Sequence, residues 1–188
     1  MRKGDKSITD FWNIDQTWSL FLDRDGVVNE RLMGDYVKNL SEWKFIEGSD
    51  VAIAKLSQLF GYTFIVTNQQ GIGKGIMTHT QLAVVHNYLQ TEVAKVGGKI
   101  DEVYYAPQMA DEFSVMRKPN IGMALQAQQD FFKVDFEKSV MVGDSKSDIE
   151  FGKNAGMKTV FISPELQNPA NADLVFKSLI DFAESLRL

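Results

Sequence analysis

A three-layer α/β domain built on a parallel sheet is predicted from two features of the chain. Short apolar runs rich in Val, Ile, Phe and Tyr recur along it and barely alternate with polar residues, the pattern of strands covered on both faces. Amphipathic segments separate these runs, and strands alternating with helices imply right-handed crossovers onto one sheet. No internal repeat, low-complexity tract or linker interrupts the rhythm, and 188 residues fit one domain. That single domain is taken as residues 1–188, with 1–17 as an N-terminal extension.

The predicted strands are Trp18–Leu22, Tyr62–Val66, Glu102–Tyr105, Ser139–Val142, Lys158–Ile162 and Leu174–Phe176. Helical patterns lie between them near Ser49–Phe60, Thr78–Val96, Ile121–Phe132, Ser147–Ala155 and Leu179–Leu186. Thr78 and Gln81 fit a capping box, in which the threonine accepts from the N3 amide while the glutamine reaches back. On the same helix Val84, Val85, Tyr88 and Leu89 read as core. His79 and His86 are seven apart with no third ligand nearby in sequence, so they read as surface or partly buried histidines rather than metal ligands. Phe11, Trp12 and Trp18 read as packing for the chain start.

Composition narrows the function classes. The chain is 44% hydrophobic and 24% charged, as an ordinary soluble globular protein is. It contains no cysteine, which excludes disulfides and thiolate metal sites and fits a reducing cytoplasm. No apolar h-region follows the basic N-terminal residues, and no run approaches a membrane span, so neither secretion nor membrane insertion is expected. A net charge of −5 argues against broad nucleic-acid binding, while leaving room for a small anionic substrate in a local basic pocket. A cytoplasmic monomer or small homo-oligomer is the expectation.

In open α/β sheets the ligand crevice lies beyond the carboxyl ends of the strands, so the residues that follow each strand carry the chemistry. Asp23-Arg24-Asp25-Gly26 follow the first, Thr67-Asn68-Gln69-Gln70-Gly71 the second, and Gly143-Asp144-Ser145-Lys146-Ser147-Asp148 a later one. Arg117-Lys118-Pro119 precede the helix near Ile121. Taken singly, each is weak: D-x-D after a strand is usually a turn, and Gly-Asp before a helix is usually a cap. Gathered at one sheet edge they form a coherent set. Three carboxylates suit a hard cation such as Mg²⁺, which keeps waters and bridges to phosphate. Asp23 is placed to attack phosphorus, and Asp25 to move a proton at the leaving oxygen. Thr67 and Asn68 would bind phosphoryl oxygens, and Lys118 would neutralise charge as phosphorus becomes five-coordinate. Gly26 and Gly143 would let the backbone approach the ligand without a Cβ clash.

In this order "FLDRDGVVN", "VTNQQGIGKG", "RKPNIGM" and "MVGDSKSDIEFGKNAG" resemble the four motifs of the haloacid dehalogenase (HAD) phosphatases. "GDYV" and "WKFIEG" are similar to the branch that hydrolyses histidinol phosphate and D-glycero-D-manno-heptose 1,7-bisphosphate. The resemblance covers roughly Leu20 to Ile162 and implies a Rossmann-like sheet. It further implies a Mg²⁺-dependent phosphomonoester hydrolase working through an aspartyl-phosphate. By position it makes Asp23 the nucleophile and Asp25 the general acid/base. The cation falls to Asp23, the Asp25 backbone carbonyl and Asp144. Phosphate binding falls to Thr67, Asn68 and Lys118, with Arg117 contacting the rest of the substrate. Asp148 is expected to orient a ligand or lysine. About 44 residues separate Asp23 from Thr67, enough for a helix, a strand and a short flap but no large cap domain.

The chain departs from that branch where a zinc loop of the form C-x-H…C-x-C is common. Ala106, Gln108, Ser114 and Met116 occupy the ligand positions, and no structural zinc is expected. Lys74 stands where the heptose branch often has arginine, and Ser145 where it often has lysine. A sugar phosphate is the leading substrate, with histidinol phosphate or a polynucleotide 3′-phosphate as alternatives. A non-catalytic phospho-receiver or pseudo-phosphatase is the competing class, against which Asp25 and Lys118 both stand.

Overall fold

The structure, a computed structural model, describes residues 12–110 and 113–186. Phe11 therefore lies outside the described residues, while Trp12 and Trp18 are buried as expected.

Six parallel strands form one sheet: β1 (Ser19–Leu22), β2 (Tyr62–Asn68), β3 (Glu102–Ala106), β4 (Ser139–Gly143), β5 (Lys158–Ile162) and β6 (Leu174–Phe176). Among the described residues the helices that follow β1 are α1 (Ser49–Leu59), α2 (His79–Lys95), α3 (Gly122–Asp130), α4 (Lys146–Ala155) and α5 (Leu179–Ser185), which flank the sheet. A short 3₁₀ turn, Phe136–Lys138, leads into β4. Why the strands look uniformly apolar is plain from the two sides of the sheet. Leu20 and Leu22 enter one core cluster with Ile65, Val140, Val142 and Val160. Phe21 enters the other with Phe64, Val66 and Met141. Successive side chains alternate, and both faces are covered.

Strand order β3-β2-β1-β4-β5-β6 is what positions the site. The chain runs outward from β1 through β2 to β3, then crosses back to lay β4 on the other side of β1. A crevice opens where the direction of winding reverses, beyond the carboxyl ends of β1 and β4. Asp23 follows β1 directly, its N–H donating to Val142 O on β4 at 2.9 Å.

The Thr78 cap forms as predicted: Gln81 N–H donates to Thr78 Oγ1 at 3.1 Å, and Thr78 N–H to Gln81 Oε1 at 2.8 Å. Such a cap contributes about 1 kcal/mol. The buried face of α2 corrects the predicted one. Leu82, Val85, His86, Leu89 and Val93 point inward, whereas Val84 is exposed and Tyr88 half-buried. The helical phase runs from Leu82 at i, i+3, i+4, i+7, and that spacing brings a histidine into the interior.

No large cap domain is present among the described residues. Between β1 and α1 the chain makes a flap, closed by Gly26 N–H to Asn29 O at 2.8 Å and Glu30 N–H to Lys44 O at 2.8 Å. No described helix is long and apolar enough to cross a membrane.

Candidate active site

Three carboxylates and one ammonium converge in the crevice. Asp23, Asp144 and Asp148 each offer an oxygen within 4.8 Å of the others. Lys118, from the loop before α3, reaches between them. Its Nζ lies 2.6 Å from Asp23 Oδ1 and 2.6 Å from Asp148 Oδ1, and donates to Val66 O at 2.7 Å. All three bonds are buried, so their geometry fixes Lys118. Asp148 is held in turn by Ser145, whose N–H and Oγ donate to its Oδ2 at 3.0 and 2.6 Å. It thus orients the lysine, as expected. Lys146 turns away to Glu150 at 3.4 Å.

Both glycines predicted to admit a ligand instead admit carboxylates. A Cβ on Gly26, whose φ is +98°, would stand 2.0 Å from Asp144 Oδ2. One on Gly143 would stand 2.1 Å from Asp148 Cβ. No side chain fits either position: the loop after β4 presses on Gly26, and the first turn of α4 folds back over Gly143.

Asp25 faces the same pocket inside a network that sequence reading missed. Its Oδ1 accepts from Asn29 Nδ2 at 2.9 Å and from Arg24 at 3.0 Å, and its Oδ2 from Gln69 Nε2 at 2.8 Å. Arg24 is fully buried, stacked 5.9 Å from the Trp43 ring centre and 3.1 Å from His86 Nε2. Burial pushes the Asp25 carboxyl up, but the Arg24 charge and the Asn29, Arg24 and Gln69 hydrogen bonds more than offset it, leaving its pKa below the usual value. Asp25 is therefore held as a carboxylate in the free protein. A phosphate dianion arriving beside it would favour protonation.

Opposite conditions act on the other two acids. Burial, reinforced by the Asp148 charge and only partly relieved by Lys118, pushes Asp23 up to about 7. Burial raises Asp144 to about 6, with Arg31 opposing and Asp148 adding to the rise. A closely set, oxygen-only ligand group that is under-neutralised fits a hard divalent cation. Asp23, Asp144 and the Asp25 carbonyl would hold it.

These shifts have a stability consequence. Both folded-state values lie above the unfolded reference of 3.8, so the native state binds more protons than the unfolded chain between about pH 4 and pH 7. Stability of chelator-treated protein should accordingly fall as pH rises through that window, and a divalent cation should restore it. The gain in Tm on adding Mg²⁺ is expected to be larger at pH 8 than at pH 5. Equal gains in paired melting curves would contradict this.

Of the phosphate-binding candidates, Thr67, Asn68 and Lys118 line a pocket of about 450 Å³ together with Asp23 and Asp25. Thr67 Oγ1 accepts from Gln69 at 2.8 Å, while the Asn68 side chain is committed to the Lys118 backbone at 3.0 and 3.2 Å. Arg117 is not among the lining residues; its guanidinium donates to Gln108 O at 3.1 Å. The loop around it is tied by Ser114, whose Oγ accepts from the N–H groups of Met116 and Arg117 at 3.2 and 3.3 Å. Ser114 thus lends a hydroxyl at one position where the related branch commonly has a zinc ligand.

A doubly wound sheet with aspartates ending β1, a lysine from the third loop and an aspartate ending β4 defines a hydrolase of HAD type. Residues 115–182 match the family model described as HAD-hydrolase-like. The chain is 36% identical over 170 residues to the D-glycero-alpha-D-manno-heptose-1,7-bisphosphate 7-phosphatase of Mycobacterium bovis, covering 88% of this chain and 90% of that one. It is 32% identical over 183 residues to the D-glycero-beta-D-manno-heptose-1,7-bisphosphate 7-phosphatase of Escherichia coli, covering 90% and 93%. The crystal structure of D,D-heptose 1,7-bisphosphate phosphatase from B. bronchiseptica, complexed with magnesium and phosphate, superposes with a TM-score of 0.80 at 28% identity over 89% of this chain and 96% of that one. The chain belongs to the heptose bisphosphate phosphatase branch of the HAD phosphatases.

Proposed function

We propose that this chain hydrolyses the 7-phosphate of D-glycero-D-manno-heptose 1,7-bisphosphate through an aspartyl-phosphate on Asp23. The observation that carries the reading is the meeting of Asp23, Lys118 and Asp148 beside the Asp25 carboxylate in one pocket, with an Asp144 oxygen within 4.8 Å of those of Asp23 and Asp148. An Asp23 oxygen attacks phosphorus in line, the bond to the sugar oxygen breaks, and that oxygen takes a proton from Asp25. Water then attacks the phosphoryl group, Asp25 takes its proton back, and the Asp23 carboxylate leaves. Lys118 stays fixed beside Asp23 and offsets charge on the equatorial oxygens in both steps, with Thr67 as a further donor. Asp23, Asp144 and the Asp25 carbonyl would hold a divalent cation, which would supply electrostatic stabilisation of the charge developing on the phosphoryl group.

The substrate rests on the names of relatives, which specify the alpha anomer for the protein of M. bovis and the beta anomer for that of E. coli. The pocket volume suits a sugar bisphosphate. The whole chain acts as one domain, and a cytoplasmic setting accords with the absence of cysteine. The test is phosphate release, with Mg²⁺, from both heptose bisphosphate anomers, histidinol phosphate and a 3′-phosphorylated oligonucleotide. One phosphate per heptose bisphosphate is expected, with kcat/KM well above the other two. Preference for histidinol phosphate or the oligonucleotide would overturn the substrate, and no release from any of them would overturn the reaction.

A further inference from the structure

Arg31 stands on the flap and reaches back over the carboxylates. One of its terminal nitrogens donates to Asp25 O at 2.9 Å and Asp144 Oδ1 at 2.8 Å, and lies 4.0 Å from Asp23 Oδ2. Its Nε lies 3.3 Å from the same Asp25 carbonyl. Asp23, Asp144 and the Asp25 carbonyl are the three groups that would hold the divalent cation. A guanidinium and a divalent cation cannot share them: both need the same lone pairs, and their charges repel across a partly dry site.

We propose that Arg31 is a built-in competitor for the cation site, neutralising its acids until a divalent cation displaces it. Three observations point to competition rather than a permanent structural bridge. The Arg31 side chain is 45% exposed, unlike Lys118 at 2%, so it can leave toward solvent without breaking the core. Among the described residues, every hydrogen bond it makes is to a cation-binding group. It also lines the pocket mouth near Tyr36 and Lys74, where a released guanidinium remains close to an anionic substrate. Lys118 and Arg31 thereby divide the neutralising work. Lys118 is fixed on Asp23 and Asp148, while Arg31 covers Asp144 and the open side of Asp23. In this arrangement, phosphate reaches the nucleophile only after the guanidinium has moved aside.

The identity of the cation-binding groups rests on the phosphatase reading, but the test needs no substrate and leaves that reading's own assay independent. Mg²⁺ is titrated calorimetrically into chelator-stripped wild type, Arg31→Gln and Arg31→Ala. Removing a competitor should tighten binding, by about tenfold in each variant. Without cation, both variants should melt below wild type, because the acids lose their neutralising charge; with saturating Mg²⁺ the gap should close. Arg31→Lys, which keeps a charge, should bind Mg²⁺ with an affinity between wild type and Arg31→Ala. Unchanged or weaker Mg²⁺ binding in both neutral variants, with wild-type melting in Mg²⁺ showing them folded, would overturn the proposal. Heptose bisphosphate hydrolysis failing in wild type would instead count against the substrate and leave this titration standing.

Discussion

Asp23→Asn should cut phosphate release by about 10⁴- to 10⁶-fold while leaving the protein folded and no less stable. The amide has the shape of the carboxylate but cannot attack phosphorus to form the acyl phosphate. Stability should hold because Asp23 is a burden in the resting protein. Burial and the neighbouring acids push its pKa to about 7, so removing its charge relieves repulsion from Asp148 and Asp144. Lys118 keeps a carboxylate partner in Asp148 at 2.6 Å. Steady-state release and melting curves on the same preparation check both halves. Activity within a hundredfold of wild type would remove Asp23 from the role of nucleophile.

Lys118→Met should damage both activity and stability. The ammonium carries ion pairs to two buried carboxylates, and methionine leaves Asp148 without an ion-pair partner and Asp23 with only Arg31 at 4.0 Å. Breaking a buried pair from one side costs about 3–5 kcal/mol, and in a chain of this size each kcal/mol lowers Tm by roughly 2–4 °C. The loss of charge opposite the phosphoryl oxygens should lower kcat by a further ~10²- to 10³-fold. Adding Asp148→Asn to Lys118→Met separates the two effects. It removes one stranded charge and should recover part of the lost Tm without recovering turnover. Additive losses of stability in the double variant would mean that the pair is not coupled.

How much of this was legible before the structure differs from residue to residue, for physical reasons. The strands were legible because apolar runs of β-branched and aromatic residues bounded by polar turns have few alternatives in a three-layer fold. Asp23, Asp144 and Lys118 were legible because their positions after strands or before a helix place them at one sheet edge. Arg24 was not, although it lies between two identified residues. An arginine after a strand reads as solvent-facing, and only tertiary packing against Trp43 and His86 turns it inward. Arg31 sits in a flap with no periodic pattern, so its direction could not be inferred. Arg117 was assigned by its place in the Arg-Lys-Pro motif of the resemblance, and a loop without periodicity gives its side chain no readable direction; its guanidinium donates to Gln108 O. His86 could have been placed, since it falls in phase with Leu82 and Leu89 on the inner face of α2.

That histidine settles how a rate–pH profile of this enzyme should be read. The guanidinium of Arg24 only donates, so the His86 Nε2 beside it is the accepting nitrogen and the ring proton sits on Nδ1. Burial and the Arg24 charge bring its pKa down to about 3, which locks one neutral tautomer across the working range. The chain's other histidine, His79, stands on the surface and does not line the pocket. An inflection near neutrality in cation binding, the kind habitually credited to imidazole, is expected here from the carboxyl groups that end β1 and β4, which burial pushes up to about 7 and about 6 in the cation-free protein.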